Sequence, residues 1–176
     1  MTRILALSGS LRARSTNAML LRAAARVAPR GITVQVHDEL GALPLFNPDL
    51  EASNPPAVAR LREAIIGSDA LLIASPEYAH GVSGVIKNAL DWMVGNESFI
   101  DKPVALLNAS PRATIARDAL LETLRTMSAR IVEPACATIA VLGTGLSEDD
   151  LVGRADFVAT LRGVLESLRQ ASSPAP

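Results

Sequence analysis

Strand-like and helix-like segments alternate five times along this chain, and that alternation limits the fold more than any other feature of the sequence. Short apolar runs stand near residues 3–8, 32–36, 69–75, 104–108 and 135–142, each followed by a segment with helical periodicity. Ile32-Thr33-Val34-Gln35-Val36 is β-branched and alternating, whereas Ala70-Leu71-Leu72-Ile73-Ala74 is apolar without a break, the pattern of a strand buried on both faces. Pro29-Arg30-Gly31 ends the first helix, and Pro55-Pro56 suits the start of the second. The last helix is expected from about Glu148 to Arg169 without interruption, and residues 171–176 as a frayed tail. Such a chain is α/β, with a parallel sheet covered by helices on both faces. Right-handed crossovers, with polar loops after the first and third strands, suit the order 2-1-3-4-5. In that order strands one and three are neighbours, and the crevice at their carboxyl ends is the switch point where a ligand binds.

The first loop at that crevice is Ser8-Gly9-Ser10-Leu11-Arg12-Ala13-Arg14-Ser15-Thr16-Asn17. It runs from a strand into a helix, the geometry that gathers backbone N–H groups and a positive helix end around an anion. The loop adds hydroxyls from Ser8, Ser10, Ser15 and Thr16, an amide from Asn17, and a guanidinium from Arg12 able to hold two phosphate oxygens. Ser15 or Thr16 also has the ordinary use of a helix N-cap. The loop matches neither common nucleotide signature, since it has no second glycine for G-x-G-x-x-G and no Gly-Lys-Ser/Thr.

The second loop, Pro76-Glu77-Tyr78-Ala79-His80-Gly81-Val82-Ser83-Gly84, brings one of the chain's few aromatic rings to the same place. Tyr78 either covers a flat heteroaromatic ligand or packs against Trp92 as core. Ser110-Pro111-Arg112-Ala113 is a third polar loop, after the fourth strand. Leu40 to Asn54 has no clean period and reads as a long loop that lays Leu43, Leu45 and Phe46 on the domain or on a partner.

Composition sets the outer limits. A chain of 176 residues, 49% hydrophobic and 20% charged, is expected to form one globular domain over residues 1–170. Its net charge of -1 lacks the basic excess of a nucleic-acid partner. Cys136 is the single cysteine and sits in an apolar run, so it reads as a buried inert thiol; with only two histidines, a transition-metal site is not expected. No run has membrane-span length and no basic segment precedes the first apolar run, so a cytoplasmic protein without a membrane partner is expected.

Gly9-Ser10-Leu11-Arg12-x-x-Ser15-x-Asn17, Ser75-Pro76-Glu77-Tyr78 and Lys87-Asn88-Ala89-Leu90-Asp91-Trp92 together resemble the NADPH-dependent FMN reductase family. The resemblance implies a flavodoxin-like fold, bound FMN, and reduction by NADPH or NADH with a quinone, free flavin or similar small-molecule electron acceptor. It implies that Ser10, Arg12, Ser15 and Asn17 hold the FMN phosphate. It further implies that Pro76, Glu77, Tyr78, Ala79, His80 and Gly81 line the isoalloxazine, with Ser110 as a further contact and no catalytic side chain. The family is commonly a homodimer or homotetramer, and residues 88–94 and 43–46 are each expected as either an interface piece or internal core. Against the family pattern, Ala79 stands where Asn is common, and Ser110–Ala113 lacks the usual glycines. The alternative class is a non-enzymatic flavodoxin-like electron carrier or an FMN-free interaction module.

Overall fold

The computed structural model describes residues 1–173. In chain order its main elements are β1 (Thr2–Ser8), α1 (Thr16–Val27), β2 (Ile32–His37), α2 (Pro56–Ile66), β3 (Ala70–Ala74), the short hairpin β4 (Glu77–Tyr78) and β5 (Gly81–Val82), and α3 (Gly84–Asp91). They continue as β6 (Pro103–Asn108), α4 (Ile115–Thr126), β7 (Arg130–Ile131), β8 (Ala137–Thr138), α5 (Glu148–Gly153) and α6 (Ala155–Ser172). The main sheet is parallel throughout, in the order β2-β1-β3-β6-β7, and β8 pairs further along β6. The first four long strands and the edge pieces therefore reproduce the expected 2-1-3-4-5 order.

Alternation along each strand divides the core between the two faces of the sheet. Ile4, Ala6, Leu72, Ala105 and Leu107 join α1, α5 and α6 on one side. Leu5, Leu7, Leu71, Ile73, Val104 and Leu106 join α2, α3 and α4 on the other. Every residue of β3 and of β6 is buried, as the unbroken apolar run of β3 predicts. This frame fixes the carboxyl ends of β1, β3 and β6 side by side.

Three expectations need correction, and one of two alternatives left open for Tyr78 is not realised. The fifth strand, expected over 135–142, is two dipeptides, β7 and β8, separated by a 3-10 turn at Glu133–Ala135. Pro134 within that turn has no N–H to give to a ladder. The last helix is two, because Arg154 is extended (φ -102, ψ 123) between α5 and α6, where its guanidinium holds the Asp156 carboxylate at 2.9 Å and lies 4.4 Å from the Phe157 ring centre. Residues 171 and 172, expected as part of the tail, are helical: α6 runs through Ser172, whose hydroxyl bonds Leu168 O at 2.8 Å, and residues 174–176 lie outside the described residues. Trp92 does not pack on Tyr78. It meets Phe46 edge-on at 5.1 Å and donates its Nε1–H to Pro44 O at 2.8 Å, which folds the 40–54 loop onto α3. Leu43 and Phe46 are thereby internal, leaving Leu45 and Val94 exposed from the two segments 43–46 and 88–94.

Candidate functional site

The loops that follow β1, β3 and β6 close around one cleft of about 390 Å³. Ser10, Arg12, Ser15 and Asn17 line it from the first loop, and Pro76, Glu77 and Tyr78 from the second. Ser110 lines it from the third. Two segments about seventy residues apart thus form the walls of a single site at the topological switch point. Ala79, His80 and Gly81 are not part of that lining; Ala79 and His80 form the turn of the β4–β5 hairpin, and Gly81 begins β5 opposite Tyr78. Sequence reasoning did not assign to the site Ser75, Asn108, Ala109 or Leu142, which also line the cleft. Asn108 has a legible signal, being a polar residue closing an apolar strand at the switch point, whereas exposed Leu142 has none.

The Arg12 loop is held by its own short bonds. Ser10 N donates to Ser8 Oγ at 3.3 Å, and Arg12 N to Ser10 Oγ at 3.4 Å. Ser15 is the N-cap of α1, its Oγ accepting from Ala18 N at 3.2 Å. The capping role is therefore real, and it leaves the Ser15 hydroxyl proton to donate elsewhere. Helix geometry leaves the N–H groups of Thr16 and Asn17 without intrahelical acceptors. Gly9 is required by close approach: a Cβ there would stand 2.4 Å from Ser75 Oγ, 2.7 Å from Ser83 Oγ and 2.8 Å from Ile86 Cγ1.

The second wall is anchored from below. Glu77 Oε2 accepts the backbone N–H of Ala116 at 2.9 Å, and Oε1 meets His80 Nδ1 at 3.0 Å. The Ala116 N–H, assisted by His80, holds the Glu77 carboxyl below the usual glutamate range against the opposing effect of desolvation. Tyr78 is left 54% exposed over the cleft. Ala79 and His80 both have positive φ, 49° and 59°, the sign pattern of a type I′ hairpin turn that Asn and Gly fit without strain.

The third wall is braced by Asn108, which accepts from Ser110 N at 3.1 Å and donates Nδ2–H to Ala113 O at 3.1 Å. A backbone bond from Ala113 N to Ser110 O at 3.2 Å closes the turn. Arg112 lines the cleft from this loop. Glu77 is the one carboxylate in the lining, and among the described residues neither Arg12 nor Arg112 has an ion-pair partner. The cleft is cationic and donor-rich. Cys136 lies elsewhere, half-buried, its thiol pushed up by burial.

The NADPH-dependent FMN reductase family pattern matches residues 2–141. The chain belongs to this family. Among its relatives, an NAD(P)H-dependent FMN reductase of Pseudomonas aeruginosa is 43% identical over 111 residues, covering 61% of this chain and 60% of that protein. A quinone reductase of Pseudomonas putida is 40% identical over 109 residues, covering 60% of this chain and 58% of that protein. The chain spans about 60% of the length of the curated relatives it matches. FerB, a flavoenzyme NAD(P)H:(acceptor) oxidoreductase from Paracoccus denitrificans, superposes with a TM-score of 0.86 at 29% identity, over 98% of this chain and 97% of that one.

The residues present fit the flavin that the family name implies. Asn17 is buried, yet its Oδ1 has no hydrogen-bond partner, and a buried unpaired amide beside a cleft calls for one. Its two amide atoms exchange by a flip, so it serves a ligand hydroxyl or a phosphate oxygen equally well. With Arg12, the Ser15 hydroxyl and two free helix N–H groups, it makes a donor set suited to a phosphate dianion.

Proposed function

We propose that the chain is an NAD(P)H-dependent FMN reductase or quinone reductase with FMN in the 390 Å³ cleft. The observation that carries this reading is the meeting of the unpaired Arg12 loop, the Tyr78 hairpin and the Asn108-braced Ser110 loop around that one space. FMN, when bound, supplies a ring that takes a hydride from NADPH or NADH and passes electrons to a quinone, free flavin or similar acceptor.

The protein's part is to bind, orient and exclude. Arg12, Ser10, Ser15 and Asn17, with the first N–H groups of α1, hold the phosphate. Pro76 and Tyr78 cover the flat end, and Ser110 donates to its polar edge. Glu77 keeps the hairpin in place through the Ala116 N–H, and Ala79 and His80 set its turn. No side chain is asked to do acid–base chemistry. Exposed Leu45 and Val94 sit on the segments that a second copy of the chain would cover, consistent with a homo-oligomer. Among the described residues no helix is long and apolar enough to cross a membrane.

The test is a fluorescence titration of the purified chain with FMN, followed by NADPH and NADH oxidation against a panel of quinones, flavins and azo compounds. Stoichiometric FMN and flavin-dependent oxidation of either nicotinamide are expected. Absence of FMN binding would leave the FMN-free module standing.

A further inference from the structure

We infer that Arg112 stabilises the reduced, anionic form of the bound flavin in preference to the oxidised form; this rests on the flavin reading above. Arg112 lines the same cleft as Arg12, but from the loop after β6, on the far side of β3. Two strand spacings separate the parent strands, about 10 Å. A ligand whose phosphate is held at Arg12 therefore reaches Arg112 with its other end. A cleft of about 390 Å³ is at the small end for a ligand of this size, so the two arginines serve one molecule and not two.

Three features make Arg112 more than a solvated surface charge. Its loop is rigid: Ser110 O closes on Ala113 N, Asn108 ties both ends, and Arg112 N donates to Ser110 Oγ at 3.3 Å. No carboxylate neutralises it among the described residues, although seven other arginines of the chain do form such pairs. The one carboxylate lining the cleft, Glu77, is already occupied by Ala116 N and His80.

A lone cation at the ring end acts differentially. Hydride transfer moves two electrons and one hydrogen from the nicotinamide to the ring, and the nicotinamide leaves oxidised. With no further proton taken up, the ring gains one negative charge. Arg112 meets a neutral partner before this step and an anion after it. Only the second state gains the full charge–charge attraction.

The experiment uses the full chain loaded with FMN, and reads the two-electron midpoint potential by titration against a reference dye, together with sulfite affinity by bleaching of the flavin band. Sulfite forms an anionic adduct with oxidised flavin and so reports the same stabilisation without turnover. In Arg112→Ala the preference for reduced over oxidised FMN should fall at least about tenfold, which lowers the potential by about 30 mV. Sulfite affinity should fall in parallel, and Arg112→Lys should keep most of both. Bound FMN with an unchanged potential and sulfite affinity overturns the inference alone. An unchanged potential with a raised KM for NADPH but not NADH also overturns it, assigning Arg112 to the nicotinamide's 2′-phosphate. A wild-type chain that binds no FMN overturns the flavin reading, and this inference with it.

Discussion

Glu77 Oε2 and the backbone N–H of Ala116 stand 2.9 Å apart, joining the hairpin that carries Tyr78 to the first turn of α4. Thr114, the N-cap of α4, makes no side-chain capping bond, so a carboxylate from 39 residues away does that work. The helix gains its missing acceptor and the hairpin gains a fixed base.

This bond makes a pH prediction. The Glu77 carboxyl lies below its ordinary value of 4.5 in the folded chain, so its stabilisation is complete above about that pH and is lost as pH falls through the lower folded value. Gln at this position keeps an acceptor but carries no charge. The stability advantage of the wild type over Glu77→Gln at neutral pH should shrink below pH 4.5, measured as urea midpoints between about pH 3 and 7. A gap that stays constant across that range would remove the charge from the account.

Arg12→Ala should weaken FMN binding by about 1.5–3 kcal/mol, the scale of a hydrogen bond to a charged group. That is roughly ten- to a hundredfold in the dissociation constant, read by fluorescence titration. Folding should be unaffected, because the side chain is exposed and has no ion-pair partner among the described residues. An unchanged dissociation constant places the phosphate away from this loop.

The hairpin tip carries avoidable strain. Ala79 sits at φ 49°, where a Cβ crowds the backbone. Ala79→Asn or Ala79→Gly should raise stability by about 0.5–1 kcal/mol, seen as a higher urea midpoint at constant m-value. Asn is expected to do at least as well as Gly, since it tolerates this conformation without the entropy loss of glycine. A fall in stability for both variants would contradict the turn geometry.

Gly9→Ala should be costly. The added methyl meets Ser83 Oγ, which caps α3, and Ile86, which is fully buried. Relief requires moving α3 off the end of β1. A loss of about 1–3 kcal/mol is expected, the usual range for overpacking, measured by urea denaturation. FMN affinity should fall as well, because the same shift opens the wall between the first and second loops.

The layer plan was readable because it rests on period and punctuation. The apolar run at Ala70–Ala74 and the breaks at Pro29–Gly31 and Pro55–Pro56 carry local physics that the structure leaves unchanged. The Arg12 loop and Tyr78 were readable for a related reason: they follow strands that the order 2-1-3-4-5 makes neighbours. The remainder depends on contacts between distant segments. Trp92 chose Phe46 over Tyr78 only because Pro44 O and the Phe46 N–H bind the Trp92 indole and the Asn88 amide, a docking invisible to periodicity. Leu142 reaches the cleft because Val141 N and Leu142 N both bond Ala109 O. The kink at Arg154 depends on Asp156 and Phe157 gathering its guanidinium, which a helical stripe does not disclose.

The broken outer strand has a consequence for how the molecule behaves in a crowd. A continuous border strand offers an incoming chain a long row of free donors and acceptors to zip against. Here that border comes in two-residue pieces, Arg130–Ile131 and Ala137–Thr138, with Pro134 turning the backbone away between them. A stranger's strand finds no register to lengthen, so on this flank the sheet is closed to growth and resists runaway aggregation.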